Sequence, residues 1–216
     1  GFFVARAGLG ASESMRSKLA EYNDPRLSRA FITKQGASGK EQAPGTADNA
    51  VYAPNGSPEQ GTSKYGTSLF MYSISAPTLL LSYHELKFLE AEALCRLGRD
   101  AKSALKDAVV AGLLNAENSF SVSRKELGKT LINPASSITD TEAESYFDNT
   151  IEAKYTAEPL KTTMIQKYFA LWGASGEATE SYNDVRRMKG LGENFIELKN
   201  PNSFPLRCPY GNSDTT

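Results

Sequence analysis

The sequence predicts a mainly α-helical fold that is interrupted by one long irregular segment. Two capping boxes, Ser82–Glu85 and Thr139–Glu142, each precede an apolar run with helical spacing. Residues 34–68 differ in composition from the predicted helices. They contain six Gly and three Pro, and Val51 is their only aliphatic residue beyond Ala. A connection of about 35 residues is far longer than the usual loop. We therefore expect residues 34–68 to form a functional or disordered loop.

The first predicted helix covers residues 11–20, where Met15 and Leu19 lie one turn apart. Asn23-Asp24-Pro25 ends it, since the residue before a proline disfavours the helical conformation. Within the long loop, Asn55-Gly56 is a hairpin-turn sequence, but its flanks alternate poorly. Residues 69–74 follow the loop and predict a short strand or extended segment.

Residues 82–113 predict a hairpin of two helices. The first helix carries apolar residues at helical spacing, ends at Gly98, and is followed by Asp100 as the expected cap of the second helix. The spaced residues of the first helix are Leu86, Leu89, Ala93, Leu94 and Leu97, and those of the second are Ala101, Ala104, Leu105, Ala108 and Val109. Small residues on the second helix indicate close packing of the tetratricopeptide-repeat (TPR) type. Since one such unit is not stable alone, other helices must complete the core.

Three further helices are predicted in the second half of the chain. Thr139 caps the first, and Pro159 suits the first turn of the next. That helix carries Ile165, Tyr168 and Trp172 on one face and ends near Gly173. The last helix covers residues 178–189, and residues 200–216 indicate an extended tail.

Composition excludes several classes of function. The 216 residues include 24 Lys+Arg against 25 Asp+Glu, so no basic excess indicates nucleic-acid binding. No run of about 18 apolar residues predicts a membrane-spanning helix. The chain begins Gly1-Phe2-Phe3-Val4, without an initiator Met or a signal peptide, and we interpret it as a truncated piece of a longer protein.

The scarcity of His and Cys argues against most catalysis. With one histidine, a zinc site built on several His ligands is excluded, and no cofactor-binding motif is present. His84 is interpreted as a polar residue of a helix's first turn. Of the two cysteines, Cys95 lies in an apolar helical run, so a free thiol is favoured over a Cys95–Cys208 disulfide.

Four stretches, in order along the chain, resemble the SusD/RagB-like family of nutrient-binding outer-membrane lipoproteins. They are the NDPRL turn from Asn23, the Y-x-E-x-x-F-L-x-A-E-A helix from Tyr83, the QKY to LW and E-x-Y-N-D-x-R-R block from Gln166 to Arg187, and the C-terminal P-x-R-x-P-Y segment from Pro205. The resemblance implies a SusD-like helical fold with a TPR-like hairpin and long loops. It also implies that residues 1–216 form a single domain that is the C-terminal portion of a longer protein.

The same resemblance implies a function. Members of the family bind glycans or other nutrients at the cell surface, next to a SusC-type TonB-dependent transporter, and are not enzymes. The implied location is the surface of the outer membrane, through a lipid anchor that precedes this chain. The alternative from the helical hairpin alone is a protein-interaction module without a small ligand. A glycosidase would need two facing carboxyl groups about 5–10 Å apart, and no spacing here indicates such a pair.

A sugar ring has an apolar face and a rim of hydroxyl groups, so a binding site needs an aromatic platform edged by polar groups. The candidate ligand-binding residues are Tyr52, Tyr65, Tyr72, Asn49, Asn55 and Trp172. For each aromatic residue the alternative is packing against the body of the protein. For Trp172, packing is favoured because the residue has helical spacing with Ile165 and Tyr168.

Overall fold

The computed structural model describes residues 10–35, 41–44, 51–55, 65–72, 75, 77–131 and 134–199, and most of these residues are helical. The α-helices are α1 (Glu13–Glu21), α2 (Leu27–Ala30), α3 (Tyr83–Arg96), α4 (Lys102–Leu127), α5 (Asp140–Tyr146), α6 (Glu152–Ala157), α7 (Pro159–Leu171) and α8 (Glu180–Gly190). A π-helical segment, Phe147–Ile151, joins α5 to α6, and 3₁₀ turns cover Leu69–Tyr72, Gly128–Thr130 and Ser175–Thr179. The predicted mainly α fold is confirmed.

The helix ends follow the predicted capping chemistry. The Ser82 hydroxyl accepts a hydrogen bond from the Glu85 N–H at 3.1 Å, and Thr139 accepts one from Glu142 at 3.2 Å. Gly98 has a φ of +66° where α3 ends. Asp100 does not cap α4 as predicted, because Ala101 holds that position. The Asp100 carboxylate instead accepts from the Lys102 N–H at 3.0 Å.

Helices α3, α4 and α7 form the centre of the core. Phe88 and Ala91 of α3 face Leu105 and Ala108 of α4, and all four are buried. Helix α7 packs against both, and a Cβ on Gly112 would lie 2.9 Å from the Cβ of Ala170. The hairpin is therefore one part of a larger helical core, and α4 continues past residue 113 to Leu127.

The buried face of α3 is not the predicted one. Leu86, Leu89 and Leu97, which have helical spacing, are 52%, 42% and 68% exposed. The buried face carries three ionisable residues as well as Phe88 and Ala91: His84, Glu85 and Glu92. This face is stabilised by ionic partners on other helices, which periodicity does not reveal.

A small antiparallel sheet lies in and beside the segment predicted as irregular. Strand β1 (Phe31–Gln35) is central and pairs with β2 (Glu41–Pro44) and β3 (Thr67–Ser68). Ile32 is opposite Pro44 on one side and Thr67 on the other. Residues 69–74 are predicted as a short strand or extended segment, and the part of them that forms a described element, Leu69–Tyr72, is a 3₁₀ turn. The sequence predicted a loop here because of the Gly and Pro content and because apolar and polar residues alternate poorly. Strand β1 forms nevertheless, because the burial of Phe31 and Ile32 stabilises it.

Two further predictions concern the cysteines and the membrane. Cys95 has no disulfide partner among the described residues, and its Sγ lies 3.7 Å from the Thr163 hydroxyl. Cys208 lies outside the described residues, as does the tail predicted over residues 200–216. Within the part of the chain that the structure describes, no helix is long and apolar enough to cross a membrane.

Candidate functional site

The structure buries two of the predicted platform residues. Tyr52 and Tyr65 are each 6% exposed. The Tyr52 ring meets Phe31 edge-on at 5.3 Å, and the Arg16 guanidinium lies 4.9 Å from its centroid. Neither ring presents an open face, and their role in ligand binding stays a prediction.

Trp172 lies in a cluster of aromatic side chains. It stacks on Phe31 at 5.2 Å and meets Phe70 at 5.0 Å, and Phe70 in turn contacts Phe120 at 4.8 Å. The contacts match the packing role considered from the sequence. The ring is nevertheless only partly buried, so its role as a ligand residue also stays a prediction.

The remaining candidates have different positions. Tyr72 ends the 3₁₀ turn Leu69–Tyr72, and Asn49 lies outside the described residues. The side-chain amide oxygen of Asn55 accepts a hydrogen bond from the Ser12 hydroxyl at 2.8 Å. Asn55 also lines a cavity beside α1, and of the predicted residues it is the one that the structure places on an open depression.

Two adjoining cavities follow α1, and we call them together the α1 groove. A polar half of about 530 Å³ is lined by Glu13, Ser14, Ser17, Pro54, Asn55 and Lys199. An aromatic half of about 350 Å³ is lined by Tyr22, Lys154, Thr162, Ile165, Tyr168 and Phe195. Both halves share Lys18, Glu21 and Glu197, so the groove is continuous. Both volumes lie within the range of small-molecule sites.

The aromatic half is lined by two partly exposed rings, Tyr168 and Phe195, and by a buried one, Tyr22. Tyr22 meets Phe169 edge-on at 5.4 Å, and the Lys154 ammonium lies 4.5 Å from its centroid. Burial raises the pKa of Tyr168, and burial with nearby Glu21 and Glu158 raises the pKa of Tyr22 to about 12. Both phenols therefore stay protonated at neutral pH and can donate hydrogen bonds.

The charges around the aromatic half are balanced. Lys18, Lys154 and Lys161 are matched in number by three glutamates, Glu21, Glu158 and Glu197. Lys161 pairs with Glu158 at 2.8 Å, and Glu197 pairs with Lys199 at 2.7 Å. Lys18 instead donates to the Ser14 hydroxyl at 3.1 Å, and burial, with the nearby charge of Lys199, lowers its pKa.

The sequence did not single out Tyr168, Phe195 or Tyr22 as site residues. Tyr168 follows the same helical spacing as the core residues of α7, so periodicity assigns it to packing. Tyr22 precedes a turn, and Phe195 lies in the irregular segment after α8. Since these three residues come together only in the fold, no local motif could have grouped them.

A family model described as starch-binding and associating with the outer membrane matches residues 3–210 of this chain. The chain belongs to the SusD-like family. The predicted SusD/RagB-like resemblance is thereby confirmed over nearly the whole length.

A solved structure agrees with the SusD-like assignment. The crystal structure of a SusD/RagB family protein from Bacteroides thetaiotaomicron is 63% identical to this chain, with a TM-score of 0.91. The match covers 100% of this SusD-like chain and 46% of that protein, so the chain spans about half the length of its relative. No curated protein matches at a significant level.

A second cluster of ionisable groups joins α3, α7 and α8 in this SusD-like chain. The His84 Nε2 lies 3.5 Å from a Glu177 carboxylate oxygen, which also accepts from the Ser82 hydroxyl at 2.9 Å. Burial and then the charge of Glu177 raise the pKa of Glu85. A carboxyl group with a raised pKa beside a second carboxyl group is a feature of catalytic acid–base pairs, and Glu85 with Glu177 has this feature. Both residues are buried, however, and they line none of the cavities described above.

The rest of this cluster consists of ion pairs that join α8 to α7 and α3. Lys167 of α7 pairs with Asp184 of α8 at 2.8 Å. Arg187 of α8 bonds to Asp184 at 2.7 Å and to Glu92 of α3. Asp184 therefore joins α8 to α7, and Arg187 joins α8 to α3.

Proposed function

We propose that this protein binds a glycan at the surface of the outer membrane and does not act on it chemically. The observation that carries the proposal is the match of residues 3–210 to a family described as starch-binding and associating with the outer membrane. The 63% identity to a SusD/RagB family protein over the whole chain supports the same role.

The distribution of acidic residues supports binding rather than hydrolysis. A glycosidase needs two carboxyl groups on opposite sides of a sugar-sized cleft. The neighbouring carboxyl groups Glu85 and Glu177 are buried with His84 and Ser82 and do not line the α1 groove. Two groove carboxylates, Glu158 and Glu197, are engaged by lysines. Among the described residues, no group of three or more His, Cys, Asp or Glu is placed to hold a metal ion.

The glycan part of the proposal is tested by pull-down on insoluble polysaccharides, with the supernatant assayed for new reducing ends. We expect at least one polysaccharide to retain the protein without release of reducing ends. Retention by none of them would contradict the proposal, and so would release of reducing ends that grows with protein concentration.

We further propose that the full-length protein is a surface lipoprotein that works beside a SusC-type TonB-dependent transporter. This partner is implied by the SusD-like family. Affinity purification of the tagged full-length protein from its host's outer membrane should recover a TonB-dependent transporter in stoichiometric amount. Recovery of the protein alone, under detergents that preserve other outer-membrane complexes, would contradict the partnership.

An interaction module is the second candidate function, and one observation favours it. Large apolar side chains lie exposed on and beside α3: Leu80, Leu81, Tyr83, Leu86, Leu89 and Leu97. Such a row is typical of a protein-contact surface. If contact with protein were the whole function, the polysaccharide pull-down would retain nothing, whereas a Leu86→Glu variant would lose its protein partner.

A further inference from the structure

We propose that the aromatic half of the α1 groove is a saccharide subsite, in which Tyr168 and Phe195 receive the apolar face of a sugar ring. Lys18, Glu21 and Lys154 then contact its hydroxyl groups. This assignment rests on the proposed glycan-binding function and gives that function a place on the molecule.

The aromatic rings decide which part of the groove holds the sugar. Lys154 already covers the Tyr22 ring, and Tyr22 is buried, so Tyr22 can only support the floor. Tyr168 and Phe195 line the same cavity and are partly exposed. The Tyr168 hydroxyl has no hydrogen-bond partner among the described residues, although the ring is largely packed. An aromatic ring with a free hydroxyl suits a ligand that is apolar on its face and polar at its edge.

The polar rim fixes the chemical class of the ligand as a neutral saccharide. Lys18 and Lys154 have no carboxylate within 4.0 Å in the described part of the chain, so both can donate to hydroxyl oxygens. Glu21 can accept from hydroxyl groups. Since lysines and glutamates are equal in number around this half, the groove has no net charge to select an anionic sugar.

The polar half extends the subsite along α1. It shares Lys18, Glu21 and Glu197 with the aromatic half and adds the hydroxyl groups of Ser14 and Ser17 and the side chain of Asn55. A linear oligosaccharide can therefore continue from the aromatic half into the polar half. We expect affinity to rise when the ligand is lengthened beyond a single sugar.

Two other aromatic candidates, Tyr52 and Trp172, lie outside the groove. Their rings have neighbours packed on them, namely Phe31 with Arg16 for Tyr52 and Phe31 with Phe70 for Trp172. Neither residue lines either half of the α1 groove.

The experiment is calorimetric titration of the 216-residue chain with neutral oligosaccharides, namely maltoheptaose, cellohexaose and mannohexaose, and with an oligogalacturonate as the anionic comparison. Tyr168→Ala removes the platform, and Lys154→Gln replaces the ammonium of the rim with a shorter, neutral amide. Tyr83→Ala is the matched control, because Tyr83 is an exposed tyrosine on α3, away from the groove. Circular dichroism checks that each variant is folded.

We expect a neutral oligosaccharide to bind, Tyr168→Ala to weaken its binding about tenfold, and Lys154→Gln to weaken it about threefold. Tyr83→Ala should bind like the parent. If Tyr168→Ala does not fold, Lys154→Gln with Glu21→Gln decides the question alone. Undiminished binding by the groove variants would overturn the subsite and leave the proposed glycan function intact. Preference for the oligogalacturonate would overturn the neutral class, and binding of no glycan would overturn both proposals.

Discussion

Lys167 lies almost fully buried in α7, and its ammonium is 2.8 Å from the Asp184 carboxylate. The Glu85, Glu92 and Glu177 carboxyl groups are buried in the same region, so its positive charge offsets several negative ones. A buried ion pair contributes little net stability. Removal of Lys167 leaves Arg187 as the partner of Asp184, but it leaves the buried carboxyl groups with one positive charge fewer.

Lys167→Met is therefore expected to lower the free energy of unfolding by about 1.5–3 kcal/mol, because Asp184 keeps Arg187 as a partner. Lys161→Met is the control, because its pair with Glu158 is exposed and should contribute less than about 0.5 kcal/mol. Urea denaturation monitored by circular dichroism measures both variants. Equal, small losses would show that Lys167 is not a structural counter-ion.

His84 predicts a dependence of stability on pH. Burial lowers its pKa, nearby Arg26 lowers it further, and Glu177 opposes them. Below the ordinary His pKa of about 6.5, the unfolded chain takes up a proton that the folded chain does not. The free energy of unfolding should thus fall between pH 7.5 and 5.5, by up to about 1.4 kcal/mol per pH unit.

Glu85 acts in the opposite direction, because its raised pKa favours the folded state as the pH falls toward about 4.3. The difference between the parent and His84→Gln isolates the histidine contribution. That difference should shrink as the pH falls from 7.5 to 5.5. Parallel curves for the two proteins over this range would contradict the assignment.

For single residues, the sequence predicted the kind of interaction a side chain makes better than whether the side chain is buried or exposed. Helical spacing favours packing for Trp172, and its contacts with Phe31 and Phe70 agree with this, while its role in ligand binding stays a prediction. Tyr52 and Tyr65 are predicted as ligand residues because a sugar ring needs an aromatic platform, yet both side chains are buried. Burial of a loop residue depends on what lies above it, and composition carries no information about that.

Gly173 shows how the end of one element depends on another. It has a φ of +80° where α7 ends, and a Cβ added there would lie 2.5 Å from the Phe70 ring. Gly98 ends α3 with a φ of +66° but has no atom within 4 Å of such a Cβ. Substitution of Gly98 would therefore cause backbone strain alone, whereas substitution of Gly173 would cause backbone strain and a steric clash with Phe70.

Gly98→Ala should therefore cost about 1–2 kcal/mol of unfolding free energy, from backbone strain alone. Gly173→Ala should cost about 2–5 kcal/mol, because Phe70 must also move. Thermal unfolding followed by fluorescence of Trp172 measures both, since Phe70 lies against that ring. An equal cost at both positions would show that Phe70 yields freely.

At the level of elements, capping boxes and glycine stops located the helices well, because these signals act over four residues. The face that a helix buries was less predictable. Helix α3 exposes its leucine row and buries His84, Glu85 and Glu92, since partners on α7, α8 and the turn Ser175–Thr179 stabilise those groups. The strands β1 and β2 were missed because their pairing is set by distant packing.

For the whole molecule, four short motifs in order identified the family, although none of them describes a binding site. Two of these motifs lie in structural positions: the Asp24–Arg26 turn is a buried ion pair, and the Gln166 to Arg187 block supplies the charged core. The α1 groove, by contrast, combines residues from α1, α6, α7 and the segment after α8. A site built from so many elements becomes visible only in three dimensions.

Equilibrium dialysis against end-labelled neutral oligosaccharides tests the central claim, that the protein binds a glycan without cutting it. After a long incubation, the ligand is quantified on both sides of the membrane and its chain length is measured again. We predict enrichment on the protein side with an unchanged length distribution. Equal concentrations on both sides, or the appearance of shorter labelled products, would contradict the account.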